Sequence, residues 1–230
     1  MIVFEATADR AYRQTRAKFE SWASDPAYRQ YVVPPSTSPR VGFAIFYTPA
    51  HFQPELLIVG QNPSNFAGKD RDPTESPNAT MLSGTLPLEN SYAVHEHLFG
   101  NALKNAFSQY PMLFAGCVGM NIWHFQCIAH AELAPKPLRR FCEGTTADLV
   151  AAIQPQHVLC LGRPAFDALR ANAEGERVSA THKARVVKRA STSFWFVWHP
   201  TGSRPPSISA HDLPIVLNAI EASIESGPSE

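Results

Sequence analysis

Two side chains suited to polarised bond cleavage stand just beyond apolar runs in this sequence. Asn62 follows Leu56-Leu57-Ile58-Val59-Gly60-Gln61, and His199 follows Ser193-Phe194-Trp195-Phe196-Val197-Trp198. Each run then breaks into a polar loop, Pro63-Ser64-Asn65-Phe66 after the first and Pro200-Thr201-Gly202-Ser203-Arg204 after the second. An amide carbonyl can hold a water, although it cannot accept a proton as a carboxylate would, and an imidazole can donate a hydrogen bond to a developing oxyanion. Together they suit hydrolysis of a bond whose leaving group departs with negative charge. One oriented donor of this kind contributes roughly 3–4 kcal/mol. Taken alone, Asn62 also fits the tight turn after a strand, and Phe66 also fits a core. The pairing with His199 favours chemistry.

The elements that must position these residues read as alternating strands and helices. Strands are expected at 56–60, Met120–Ile128, His157–Gly162 and 193–198, with a peripheral strand at Val41–Tyr47. Helices are expected at 7–31 with a break at Asp25-Pro26, at Ser91–Gln109, at Thr145–Ile153, from Arg163 to Ala171 and from Ala210 to Ser223. Thr145 and Asp148 stand at capping-box spacing. The alternation predicts an α/β fold, a three-layer αβα arrangement around a mainly parallel sheet. Ligands of such sheets bind beyond the carboxyl ends of the strands. Asn62 and His199 are therefore expected to face each other across one pocket, at the ends of adjacent strands, with Phe66 on its wall.

Bulk properties narrow the class. The chain has 230 residues, 44% hydrophobic and 17% charged, with zero formal net charge. That length fits one domain, 1–230, with residues 1–53 as an N-terminal helical and peripheral extension; it buries roughly 70–75% of its unfolded surface. Neutrality argues against non-specific coating of nucleic acid and leaves room for a local basic rim. The first residues do not form a signal peptide, and no apolar run approaches a membrane span, so a cytoplasmic protein without a membrane partner is expected. The four cysteines, Cys117, Cys127, Cys142 and Cys160, form no Cys-x-x-Cys pair. Neither Walker loop nor Gly-x-Gly-x-x-Gly is present. No cofactor and no metal is expected.

Gly60-Gln61-Asn62-Pro63 with Phe66, followed far downstream by His199-Pro200-Thr201-Gly202-Ser203, resembles the two signature motifs of the uracil-DNA glycosylase superfamily. The first motif is most similar to the single-strand-selective monofunctional branch. It also resembles the Gly-Gln-Asp-Pro of the uracil-specific enzymes, with Asn62 in place of Asp. The resemblance runs from about Pro54 to the end and implies a four-stranded central sheet. It implies a base flipped out of DNA, Asn62 and His199 as catalytic residues, and base contacts from Gly60, Gln61, Pro63, Phe66, His124 and Phe125. Ser64, Thr201, Gly202, Ser203 and Arg204 would meet DNA, with Arg204 as a wedge or a solvated charge. Residues 177–190 carry Arg177, Lys183, Arg185, Lys188 and Arg189 with no acidic residue, and read as a solvated hairpin or loop or as a DNA-backbone contact. In the single-strand-selective branch the second core strand supplies an Asn that reads the base, near a His and followed by a Cys. Aligning Cys127 with that Cys matches His124 and puts Phe125 at the Asn position, which widens the expected substrate beyond uracil. One branch holds an iron–sulfur cluster through cysteines near its N-terminus. This chain has none before Cys117.

The expected activity is therefore a monofunctional DNA-base glycosylase of base-excision repair, a monomer that leaves an abasic site. No Lys stands beside either motif to form a Schiff base for strand cleavage. A non-catalytic module binding damaged bases or single strands, and a small-molecule N-glycoside hydrolase, are the alternatives. The long polar connection from Gly68 to Pro87 reads equally as a functional loop or a surface insertion.

Overall fold

The fold is built on three short strands that are buried on both faces. In the computed structural model, which describes residues 2–34, 37, 39–63, 82–94, 98–126, 133–170, 176–178, 184–200 and 206–226, these are β1 (Leu56–Gly60), β2 (Val118–Asn121) and β3 (His157–Leu161). Continuous burial is what a parallel strand between two helical layers requires, and it explains their unbroken apolar composition. β4 (Glu176–Arg177), β5 (Arg185–Arg189) and β6 (Thr192–Val197) complete a sheet ordered β2-β1-β3-β6-β5-β4. β2, β1, β3 and β6 run parallel, and β5 is antiparallel to both of its neighbours.

The expected four strands are these four parallel ones, but the sheet has six. The extra pair comes from the basic 177–190 segment, part of which folds as a hairpin against β6. The sequence suggests a hairpin or loop here but not its pairing with the sheet, because β5 is half exposed and rich in charge, without the apolar run of a central strand.

Alternation along the strands sends successive side chains to opposite layers. Leu57, Val59, Val118, Met120, Val158, Cys160, Phe194 and Phe196 meet one core. That core is covered by α1 (Ile2–Trp22), α2 (Pro26–Val32), α6 (Lys136–Ile153) and α7 (Arg163–Leu169). Leu56, Ile58, Leu159, Leu161, Trp195 and Val197 meet the other. The second face is covered by α3 (Ser91–Val94), α4 (Leu98–Ala106), α5 (Pro111–Ala115) and α8 (Pro206–Glu225). This is a three-layer α/β fold with a mostly parallel sheet.

Several element boundaries differ from expectation. The N-terminal helical region does break at Asp25-Pro26, where the Asp25 carboxylate accepts from the Ala27 N–H at 2.9 Å and caps α2. α6 begins at Lys136, so Thr145 is mid-helix and donates to Phe141 O at 3.0 Å instead of capping. The 91–109 helix is described as α3 and α4. α8 starts at Pro206 and carries Pro214 in its interior. Residues 41–47 form isolated bridges, Phe43 to Ser83 and Phe46 to Met120, instead of a strand. Thr48 Oγ1 takes over the pairing, donating to Cys117 O at 3.1 Å and accepting from Gly119 N at 2.8 Å.

β2 ends at Asn121, well short of the expected Ile128. The Ile122 and Trp123 N–H groups donate to the Gly60 and Gln61 carbonyls at 3.0 and 2.9 Å. Alternation then stops: Ile122, Trp123 and Phe125 all enter the α1/α6 core. His124 lies in that layer too, fully buried, with Nε2 3.1 Å from Thr146 Oγ1 on α6. Burial pulls its imidazole down to about 3.

A histidine held neutral by burial makes the fold acid-sensitive. The unfolded chain takes up a proton near pH 6.5 that folded His124 refuses until about pH 3, so stability falls as pH drops through that window. His124→Gln removes this proton uptake. Urea midpoints at pH 7 and pH 5 should differ less in the variant than in the parent, and an equal difference would exclude His124 as the source.

Candidate active site at the carboxyl end of the sheet

The carboxyl ends of β1, β2, β3 and β6 lie side by side, and the residues that end them share one face. Gly60 pairs with Asn121 across β1 and β2, and both continue the alternation of the α3/α4/α8 face. His199 follows β6 with the same parity. The tight turn after β3 is made by Gly162 at φ 100°, a left-handed conformation that disfavours side chains. Gly162 N–H donates to Val197 O at 2.8 Å, which binds the end of β6 to the end of β3. A Cβ at Gly162 would stand 3.9 Å from His199 Cβ.

His199 is half-buried, and its ring stacks on Phe99 of α4 with centroids 4.9 Å apart and planes 18° from parallel. Desolvation pulls its imidazole down to about 4. It is therefore neutral near pH 7, with one ring N–H as donor and one ring nitrogen as acceptor. A neutral donor stabilises a forming oxyanion without paying for a buried cation.

Asn62 is half-buried in the turn after β1, and its amide nitrogen donates to Pro63 O at 2.9 Å. That bond orients the side chain and leaves the amide carbonyl as the acceptor suited to holding a water. The Gly60 and Gln61 carbonyls are taken by the chain beyond β2, so the entry to the Asn62 turn is fixed at both peptide units.

Sequence reasoning missed Asn121. It closes β2, is 5% exposed, and stands directly beside Gly60. A Cβ on Gly60 would lie 2.5 Å from Asn121 Oδ1, so the glycine is what admits the amide. Asn121 Nδ2 donates to Tyr47 Oη at 2.8 Å. From there an aromatic wall runs back to the histidine. Tyr47 stacks on Tyr92 at 5.7 Å, Tyr92 meets Phe99 edge-on at 5.6 Å, and Phe99 carries His199. The signal was present in the sequence: Asn121 is the first polar residue after the apolar run from Cys117 to Met120, as His199 and the Gln61-Asn62 pair are after theirs.

Several expected contacts are corrected. β3 lies between β1 and β6, so Asn62 and His199 do not end adjacent strands; two strand spacings, about 10 Å, separate them. His124 and Phe125 are not base contacts. Both are fully buried in the opposite layer, where Phe125 packs edge-on to Tyr31 at 5.6 Å, because β2 has already ended. Lys188 and Arg189 do not flank the site. β5 runs antiparallel, so they pair with Ser193 and Thr192 at the amino end of β6, about 13 Å of strand below Val197. Arg189 Nη1 donates to Leu169 O at 3.0 Å, closing the end of α7. Gly60, Gln61, Pro63, Asn62 and His199 are at the carboxyl end as expected. Ser64, Phe66, Thr201, Gly202, Ser203 and Arg204, and most of the 68–87 connection, lie outside the described residues. Cys117, Cys142 and Cys160 are buried free thiols. Among the described residues no group of three or more His, Cys, Asp or Glu is placed to hold a metal ion, and no helix is long and apolar enough to cross a membrane.

No protein-family model matches the chain, and no curated protein matches it.

Two measurements check this geometry. Gly60→Ala should push the Asn121 amide aside, since the clash is with a side-chain end and Gly60 has no left-handed φ to protect. Large NMR shifts at the Asn121 side-chain amide, with small ones along β3, are expected; an unmoved amide would refute the contact. The His199 ring should titrate near pH 4, and a midpoint near 6.5 would mean that the ring is solvated.

Proposed function

We propose that this protein is a monofunctional DNA-base glycosylase acting on uracil or another deaminated base. The observation that carries the reading is that Asn62, Asn121 and His199 all stand at the carboxyl ends of parallel strands, after or at the close of β1, β2 and β6, with burial lowering the His199 proton affinity. The motif resemblance supports the same reading, and Asn121 supplies the strand-ending amide that Phe125 does not.

Each group has a role set by its chemistry. The flipped base lies beside Asn121, which offers an acceptor and a donor to its edge. Asn62 holds a water near C1′ through its carbonyl. The C1′–N bond breaks with its electron pair leaving on the base, while the water oxygen bonds to C1′. His199 donates a hydrogen bond to the base oxygen on which the charge accumulates. The water's proton passes to the departing base or to solvent, since an amide cannot take it. This last feature favours a leaving group that is already a good one, and it also fits a module that binds the base without cutting.

Oligonucleotides carrying uracil, hypoxanthine or xanthine, read for alkali-sensitive sites, test the proposal. At least one should be cut, and His199→Ala should slow it by roughly 100- to 1,000-fold. Substituting Lys188 and Arg189 together should leave rate and salt dependence unchanged, because both lie at the far end of the sheet. Tight binding without turnover would favour the binding module. Cleavage of free nucleosides alone would favour a small-molecule hydrolase.

A further inference from the structure

We propose that Tyr47 is a positioning residue that determines which base edge Asn121 reads, by fixing the orientation of its amide; this rests on the base-recognition reading above. The two sides set that orientation together, because the Tyr47 hydroxyl gives the NH2 an acceptor and the Gly60 side does not. The Asn121 Nδ2 donates to Tyr47 Oη at 2.8 Å, and its Oδ1 lies against the bare Cα of Gly60. A reversed amide would set its NH2 on the Gly60 methylene, which offers no acceptor, and a buried N–H without a partner is costly.

Tyr47 is itself held on every side. Its N–H donates to Gly119 O at 2.8 Å, and its carbonyl accepts from Ser91 Oγ at 2.6 Å and from Ser91 N–H at 2.9 Å. Its ring lies nearly parallel to Tyr92, with 8° between planes. Tyr92 in turn fills the space over Gly119, where a Cβ would come within 2.4 Å of its ring. Burial drives the Tyr47 phenol well above its ordinary range, so it stays a neutral hydroxyl. The result is a rigid post carrying one polar atom at the end of β2.

The consequence is selective. A fixed amide keeps its carbonyl as acceptor and one N–H as donor, in one order. That order complements an imide-like edge, N3–H and O4 of uracil or N1–H and O6 of hypoxanthine. Cytosine presents the reverse, an acceptor at N3 and a donor amine at C4. An amide free to turn over would accommodate both, and the held one rejects the amino base by leaving buried groups unpaired.

The test is equilibrium binding of single-stranded oligonucleotides carrying 2′-fluoro-2′-deoxyuridine or 2′-fluoro-2′-deoxycytidine, whose fluorine resists glycosidic cleavage. The parent should prefer the uracil oligonucleotide, and Tyr47→Phe should reduce that preference about tenfold, the value of one lost hydrogen bond. A purely structural role would weaken both ligands equally and leave the ratio unmoved, and that result would overturn the proposal. Should Tyr47→Phe not fold, the same ratio is read on Tyr47→Met, whose flexible side chain fills the space without a hydroxyl. A parent with no preference would overturn the base-recognition reading itself, and this inference with it.

Discussion

The carboxyl end of the sheet is shaped by the contact between the Asn121 amide and the bare Cα of Gly60. The two residues are in register on neighbouring parallel strands, so their side chains leave the sheet on the same face at the same height. Only a glycine at 60 leaves that space for an amide. The same register lets the chain beyond β2 donate to the Gly60 and Gln61 carbonyls, which sets the entry to the Asn62 turn. Shifting β2 by one residue would bring Met120 opposite Gly60 and send the amide to the other layer.

A second constraint is the aromatic layer that covers this end. Phe99, Tyr92 and Tyr47 form a continuous wall from His199 to Asn121, each ring on a different segment. Phe99 covers one face of the imidazole, and desolvation lowers its proton affinity.

The sequence made the layout legible where an apolar run was bounded by punctuation. β1 and β3 end at glycines, β6 ends shortly before Pro200, and their positions follow from composition and length. β2 was harder, because Ile122, Trp123 and Phe125 prolong the apolar run after pairing has ended. Anchoring the comparison on Cys127 then carried the reading into the wrong layer, toward His124 and Phe125. The segment carrying Lys188 and Arg189 reads as a hairpin or loop, without its place in the sheet. Charge along a chain does not tell which end of a sheet the charge will occupy; the direction of β5 does. The left-out link in each case was tertiary: strand order, strand direction and the close approach that a glycine permits.

The proposed function requires that a base be received at the carboxyl end of the sheet, beside Asn62, Asn121 and His199. NMR titration of the protein with a single-stranded oligonucleotide carrying 2′-fluoro-2′-deoxyuridine tests it most directly. The side-chain amides of Asn62 and Asn121 and the ring of His199 serve as reporters, with His157 and Lys188 at the amino end as controls. The three reporters should shift along one saturation curve while the controls stay fixed. Shifts concentrated at His157 and Lys188, with Asn62, Asn121 and His199 unmoved, would contradict it.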